Sequence, residues 1–148
     1  MAATYPELFA FLDRLGGKLD ELTEIQKEKT LCVRRDDLLG VDGCMKREQV
    51  ISLSLRSMEQ QRARLLQELG LDGLPLSAMA QHCPLQWRQE ARAAEERLRG
   101  RYQIYRSAAD TARTTLEINL HQINKIIDGE ASASSGGDPA GHMADIRA

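Results

Sequence analysis

Leu98, Tyr102, Tyr105, Ala109, Ala112, Leu116, Asn119, Ile123 and Ile126 follow one another at alternating steps of four and three residues. Those steps gather side chains on one face of an α-helix, whereas a strand would need steps of two. Sustained over this length, the spacing is a coiled-coil seam. A helix from residue 85 to residue 128 spans about 65 Å. Such a helix is stable in water only when other helices cover its apolar face. Small residues in mid-seam (Ala108, Ala109, Ala112) would let a neighbour approach closely. Gly129 is expected to end the helix.

The rest of the chain offers two long partners. Leu8, Leu12, Leu15, Leu19 and Leu22 repeat the four-three spacing behind Pro6, a residue tolerated in a first turn. Gly16 and Gly17 interrupt this seam, which then shifts to Ile25 and on toward Leu31, predicting a first helix to about Arg34. Arg34-Arg35-Asp36-Asp37 reads as a corner, with Asp36 or Asp37 able to cap a second helix. A start as late as Met45, or one helix running straight through 34–37, are the competing readings. The second helix carries Ile51, Leu55, Met58, Arg62, Leu65 and Leu69 in its seam and ends before Gly70 and Pro75. Ser77 can cap a short helix to about Gln81, and Pro84 opens the last one. The expectation is therefore an all-α, elongated antiparallel bundle of three long helices with a short connecting helix. Its domain covers 1–128. Residues 129–148, rich in Gly, Ser and Ala, read as a flexible tail.

Charge and composition narrow the function. The formal net charge is −2, the tail's Glu130, Asp138, Asp145 and Arg147 account for it, and the bundle is neutral. That is not the basic imbalance of a nucleic-acid binder. No apolar run is long enough to cross a membrane, and Met1 to Glu7 lack the pattern of a secretory signal. Cys32, Cys44 and Cys83 are odd in number and scattered, which suits a reducing, cytoplasmic setting.

Chemistry is hard to find. The chain has no glycine-rich phosphate loop and no nucleophile elbow. Glu117 and His121 lie one helical turn apart, but a helical di-metal site needs further carboxylates and a second Glu-x-x-His element. A solvated face is the plain reading. His82-Cys83 adjoin at a helix start, a place that could lower a thiol pKa, yet a catalytic cysteine also needs an oriented base and an oxyanion site. Neither an enzyme nor a cofactor nor a metal site is expected. Residues 88–113 hold seven arginines against Glu90, Glu95, Glu96 and Asp110, interleaved as on a solvated, ion-paired face. Tyr102 and Tyr105 read as core, and Trp87 as core or partner contact.

The final third of the last helix is different. Leu116, Ile118, Leu120, Ile123, Ile126 and Ile127 cover more than one stripe, and a helix apolar on so much of its circumference must be covered on more than one side. Asn119 in the seam either fixes register or marks where the helix leaves its own bundle for another protein. These arguments give the partner-binding candidates: Leu116, Ile118, Asn119, Leu120, Ile123, Asn124, Ile126 and Ile127.

Three stretches resemble the FlgN family of flagellar type III export chaperones. They are Leu22 to Lys46, with Glu28, Leu31, Asp36 and Leu39; Val50 to Leu71, with Arg62, Leu65, Leu66 and Leu69-Gly70-Leu71; and Leu116 to Ile127, with Asn119 and Asn124. The resemblance runs over roughly 8–128. It implies a small cytoplasmic helical chaperone that binds the C-terminal helical segments of hook–filament junction proteins of the FlgK and FlgL type. Such a chaperone prevents their early assembly and delivers them to the export apparatus. The family's tail often carries a tyrosine–glycine pattern. Here Ala144 to Ala148 contain no tyrosine, so no gate-docking residue is assigned. A self-associating coiled-coil scaffold and an RNA-binding regulator are the alternatives, and homodimerisation is left open.

Overall fold

The structure is a computed structural model that describes the backbone of residues 2–134 and the side chains of residues 2–129. The described residues form four α-helices and no strand: α1 (Tyr5–Arg34), α2 (Leu38–Glu68), α3 (Leu76–His82) and α4 (Arg88–Ser134), with a 3-10 turn, Leu85–Trp87, leading into α4.

Local chemistry sets the boundaries. Thr4, in extended backbone, accepts the Glu7 N–H at 3.3 Å and caps α1, with Pro6 in the first turn and Glu7 near the positive end of the helix dipole. At the other end the Asp36 N–H donates to the Val33 carbonyl at 3.2 Å and the Asp37 N–H to the Cys32 carbonyl at 2.9 Å. This pair of bonds is a Schellman ending. Its left-handed residue, usually glycine, is here Asp36 at φ 55°. Asp37 in turn accepts the Gly40 N–H at 2.9 Å and caps α2. The corner therefore takes three residues, which settles the sequence's alternatives: α1 and α2 are separate, and α2 begins at Leu38 rather than Met45. The end of α2 repeats the motif with Gly70 at φ 72°, the Leu71 N–H reaching the Leu66 carbonyl at 2.8 Å and Leu71 itself buried. The short helix starts behind Pro75 without a side-chain cap, one residue before the expected Ser77.

Ion pairs show how the helices run. Lys29 meets Glu48 at 3.1 Å, and Glu28 meets Arg47, so α2 is antiparallel to α1. Asp13 meets Arg97 at 3.2 Å, Asp20 meets Arg101 at 3.5 Å, and Asp36 accepts from Asn119 at 3.2 Å. The third long helix, α4, is thus parallel to α1 and antiparallel to α2, an up-down-up bundle with α1 packed against both others.

The core is uneven along this axis. Its thick end gathers Leu8, Phe11 and Leu12 of α1, Leu65 of α2, Leu71, Met79 and Cys83 of the connection, and Ala91, Ala94 and Leu98 of α4. Burying an aliphatic or phenyl side chain of this size contributes about 1.5–3 kcal/mol. Trp87 lies with Tyr5 and Phe9, its ring 6.2 Å from each, so the choice left open for it falls to the core side. Halfway along, the core narrows to Leu22, Ile25, Cys44 and Ile51, with Leu55 and Tyr105 against them. Toward the corner only Val33 and Ala112 remain as buried apolar side chains of α1 and α4.

Three expectations change. Tyr102 is half exposed rather than core, although Leu98 before it and Tyr105 after it on the same seam pack inside. Leu31 is likewise exposed at 45%, and Val33 takes its place inside. Gly129 does not stop α4, which runs on to Ser134; one exposed glycine costs about 1 kcal/mol, which a helix already formed can absorb. The expectation of flexibility for 135–148 lies outside the described residues.

Candidate functional site

Where the core thins, α4 stands beside the end of α1 and continues past the level of the corner. From Asn119 to Ser134 that continuation measures about 22 Å. The Asn119 Nδ2 donates to the carboxylate of Asp36, in the corner that follows α1. That bond ties α4 to the corner at the level of Asn119, which accords with the register-setting alternative.

A groove runs along the α1–α4 junction, on the flank of α1 turned away from α2. The α1 residues facing it are Lys27, Thr30, Leu31 and Arg34, whereas Glu28, Lys29 and Cys32 of the neighbouring positions face α2. Three contiguous cavities compose it. The first, about 490 Å³, lies between Leu31 and the α4 side chains Ile104 and Ala108. The second, about 650 Å³, is bounded by Arg106, Asp110, Thr114 and Ile118. The third, about 630 Å³, lies at the corner among Val33, Asp36, Ile118, Asn119, Ile123 and Ile126. Arg34 borders all three. Ile104 is 59% exposed, Ile118 54% and Ile126 61%, so the groove's apolar floor is unfilled.

The eight candidates divide between two faces of α4. Ile118, Asn119, Ile123 and Ile126 line the groove. Leu116, Leu120, Asn124 and Ile127 do not; Leu116 and Leu120 are half-buried, Ile127 is exposed, and Asn124 is 8% exposed. Among the described residues the Oδ1 atoms of Asn124 and Asp128 have no hydrogen-bond partner. Sequence reasoning missed Arg34, Leu31, Ile104, Thr111 and Thr115. A signal for the α4 members was present: Ile104, Ala108, Thr111, Thr115, Ile118 and Gln122 form a second four-three row beside the first.

The reactive residues have other occupations. Cys83 is 1% exposed, its Sγ donates to the Met79 carbonyl at 3.3 Å, and burial pushes its thiol up despite the nearby Arg88 cation. That is the reverse of an activated nucleophile. The His82 Nδ1 lies 2.9 Å from the Ala78 carbonyl. Of the seven arginines in 88–113, Arg97 and Arg101 pair with acids of α1, and Arg99 and Arg113 with Glu95 and Asp110 of α4 itself. Much of the local positive charge is thereby neutralised. No helix among the described residues is long and apolar enough to cross a membrane.

The site is thus a long apolar groove with a charged rim and no reactive centre in it. A family model described as FlgN protein matches residues 1–136, nearly the whole chain. The chain belongs to the FlgN family. Membership makes it a flagellar export chaperone in general terms, from a family of chaperones that bind flagellar proteins. Comparison with curated proteins and with solved structures returns no match.

Proposed function

We propose that this FlgN-family chaperone works in the cytoplasm, holding the C-terminal helical segment of a hook–filament junction protein of the FlgK or FlgL type in the α1–α4 groove. Holding it keeps that segment from assembling early, and handing it over delivers the client to the export apparatus. The observation that carries the reading is the unfilled groove floor, with Ile104, Ile118 and Ile126 each more than half exposed. An amphipathic client helix laid in such a groove buries its own apolar stripe and these side chains together. From Ile104 to Ile126 the floor measures about 33 Å, the length of a helix of about 22 residues. A client disordered before docking loses conformational entropy on binding, which keeps affinity moderate and release feasible.

The test is binding of a fluorescently labelled junction-protein C-terminal peptide. Ile118→Asp with Ile126→Asp should weaken it at least about a hundredfold while leaving the melting temperature within about 2 °C, since both side chains are exposed. Wild-type affinity in a folded double variant would refute the groove. The second reading, a self-associating scaffold, draws on the outer side of α2, where Leu39, Val50 and Leu53 are 87%, 67% and 63% exposed. Light scattering separates them: a concentration-independent assembly indifferent to the peptide favours the scaffold.

A further inference from the structure

The apolar floor explains why a helix would dock but not which helix. The charges along the groove bear on that choice. Lys27 pairs with Glu24 at 3.4 Å, Asp110 with Arg113 at 3.1 Å, and Asp36 accepts from Asn119. Arg34 and Arg106 differ: among the described residues neither has an ion pair. They stand on opposite walls, Arg34 on α1 and Arg106 on α4, and both border the central cavity. Asn119 is a neutral amide, so the Asp36 carboxylate keeps its negative charge at the corner end, while the unpaired charge bordering the central cavity is positive.

Resting on the groove as the client site, we infer that Arg34 and Arg106 form a cationic clamp that selects a docking helix with a carboxylate midway along its apolar stripe. A guanidinium offers planar paired donors that match a carboxylate in a way an ammonium does not. Docking covers the groove and displaces water, which lowers the local dielectric and strengthens the pair. It also penalises the wrong client, because a helix with a lysine or an alkyl side chain at that position leaves two guanidinium groups covered and unpaired. The clamp thus discriminates between helices that the isoleucines alone would accept.

A purely structural role for Arg34 exists, since a cation in the last turn of α1 offsets the helix dipole. Arg34→Lys separates the two, keeping the charge at the helix end and losing the planar fork. The experiment uses the full chain and the labelled C-terminal peptide of a junction protein, titrated at 50 and 300 mM NaCl. Arg34→Glu and Arg106→Glu should each weaken binding at least about tenfold and flatten its salt dependence. Arg34→Lys should weaken it by roughly threefold with an unchanged melting temperature. A peptide with one central acid replaced by arginine should regain affinity for Arg34→Glu and lose it for the wild type. If Arg34→Glu and Arg106→Glu bind like the wild type while the isoleucine double variant does not, the clamp is wrong and the groove stands. If all variants bind like the wild type, the groove itself is wrong. A labelled 20-nucleotide RNA that binds tightly at 150 mM NaCl and is lost with Arg34→Glu would overturn the carboxylate in favour of phosphate.

Discussion

Gly16 and Gly17 are sequence neighbours with opposite surroundings. Arg101 of α4 lies across Gly16, its Nη1 donating to the Asp13 carbonyl at 3.3 Å and its Nε reaching Asp20 at 3.5 Å. A Cβ on Gly16 would run into that side chain, whereas nothing stands within 4 Å of one on Gly17. Alanine exceeds glycine in a helix by about 1 kcal/mol. Gly17→Ala should therefore raise the melting temperature by about 3 °C, and Gly16→Ala should gain less or lose; thermal denaturation by circular dichroism compares them. Cysteine titration gives a second prediction. Burial raises the thiols of Cys44 and Cys83 above the ordinary value of 9.0, Cys44 also through the Glu28 carboxylate. Between the unfolded and folded pKa values the folded chain holds more protons, so its stability falls as pH rises through that window. The contribution is complete below the ordinary value of 9.0 and is lost as pH rises through the raised folded value. Urea midpoints should therefore drop from pH 8 to pH 10, and by less in Cys44→Ala with Cys83→Ala, whatever that variant's stability at pH 7.

At the scale of the element, α4 is one helix with two halves that differ in what covers them. Ala91, Ala94 and Leu98 pack in the thick core, while Ile118, Ile123 and Ile126 face an open groove. Backbone amides of 122–129 should exchange with solvent faster than those of 91–112, because fewer apolar contacts oppose local opening there. Mass-spectrometric hydrogen exchange would show this, and a bound junction-protein peptide should slow exchange at 115–127; equal rates in both halves would contradict the picture. The excess of apolar residues after Leu116 was legible in the sequence, since periodicity is a property of one helix. Its division into a groove face and a second face was not. Which of Ile118 and Leu120 points into a groove depends on where α1 lies, and no residue of α4 encodes that alone.

For the molecule as a whole, the uneven core assigns separate work to the two ends. The end built on Phe11, Leu8 and Leu65 holds the fold, and the corner end leaves apolar side chains such as Ile118 and Ile126 exposed. Phe11→Ala should cost about 3–5 kcal/mol, whereas Leu53→Ala on the outer side of α2 should change stability by no more than about 0.5 kcal/mol. Chemical denaturation measures both, and similar losses would mean the outer face of α2 is not free. Phe9 and Phe11 lie off the leucine seam of α1, yet both are buried. A helix packed on two sides needs more apolar positions than one stripe supplies.

The sequence by itself determined the helices: their class, most of their ends and the seams by which they pair. These depend on spacing and on capping residues a few positions apart. It also carried the family resemblance that the family match bears out. Only the tertiary structure decided that α1 lies between α2 and α4, that Asp36 takes the left-handed place and holds Asn119, and that Arg34 and Arg106 border one cavity from different helices. The pairings of Asp36 with Asn119 and of Arg34 with Arg106 join residues more than seventy positions apart in the chain. Helix packing sets such distances, and a local pattern has no means of recording them.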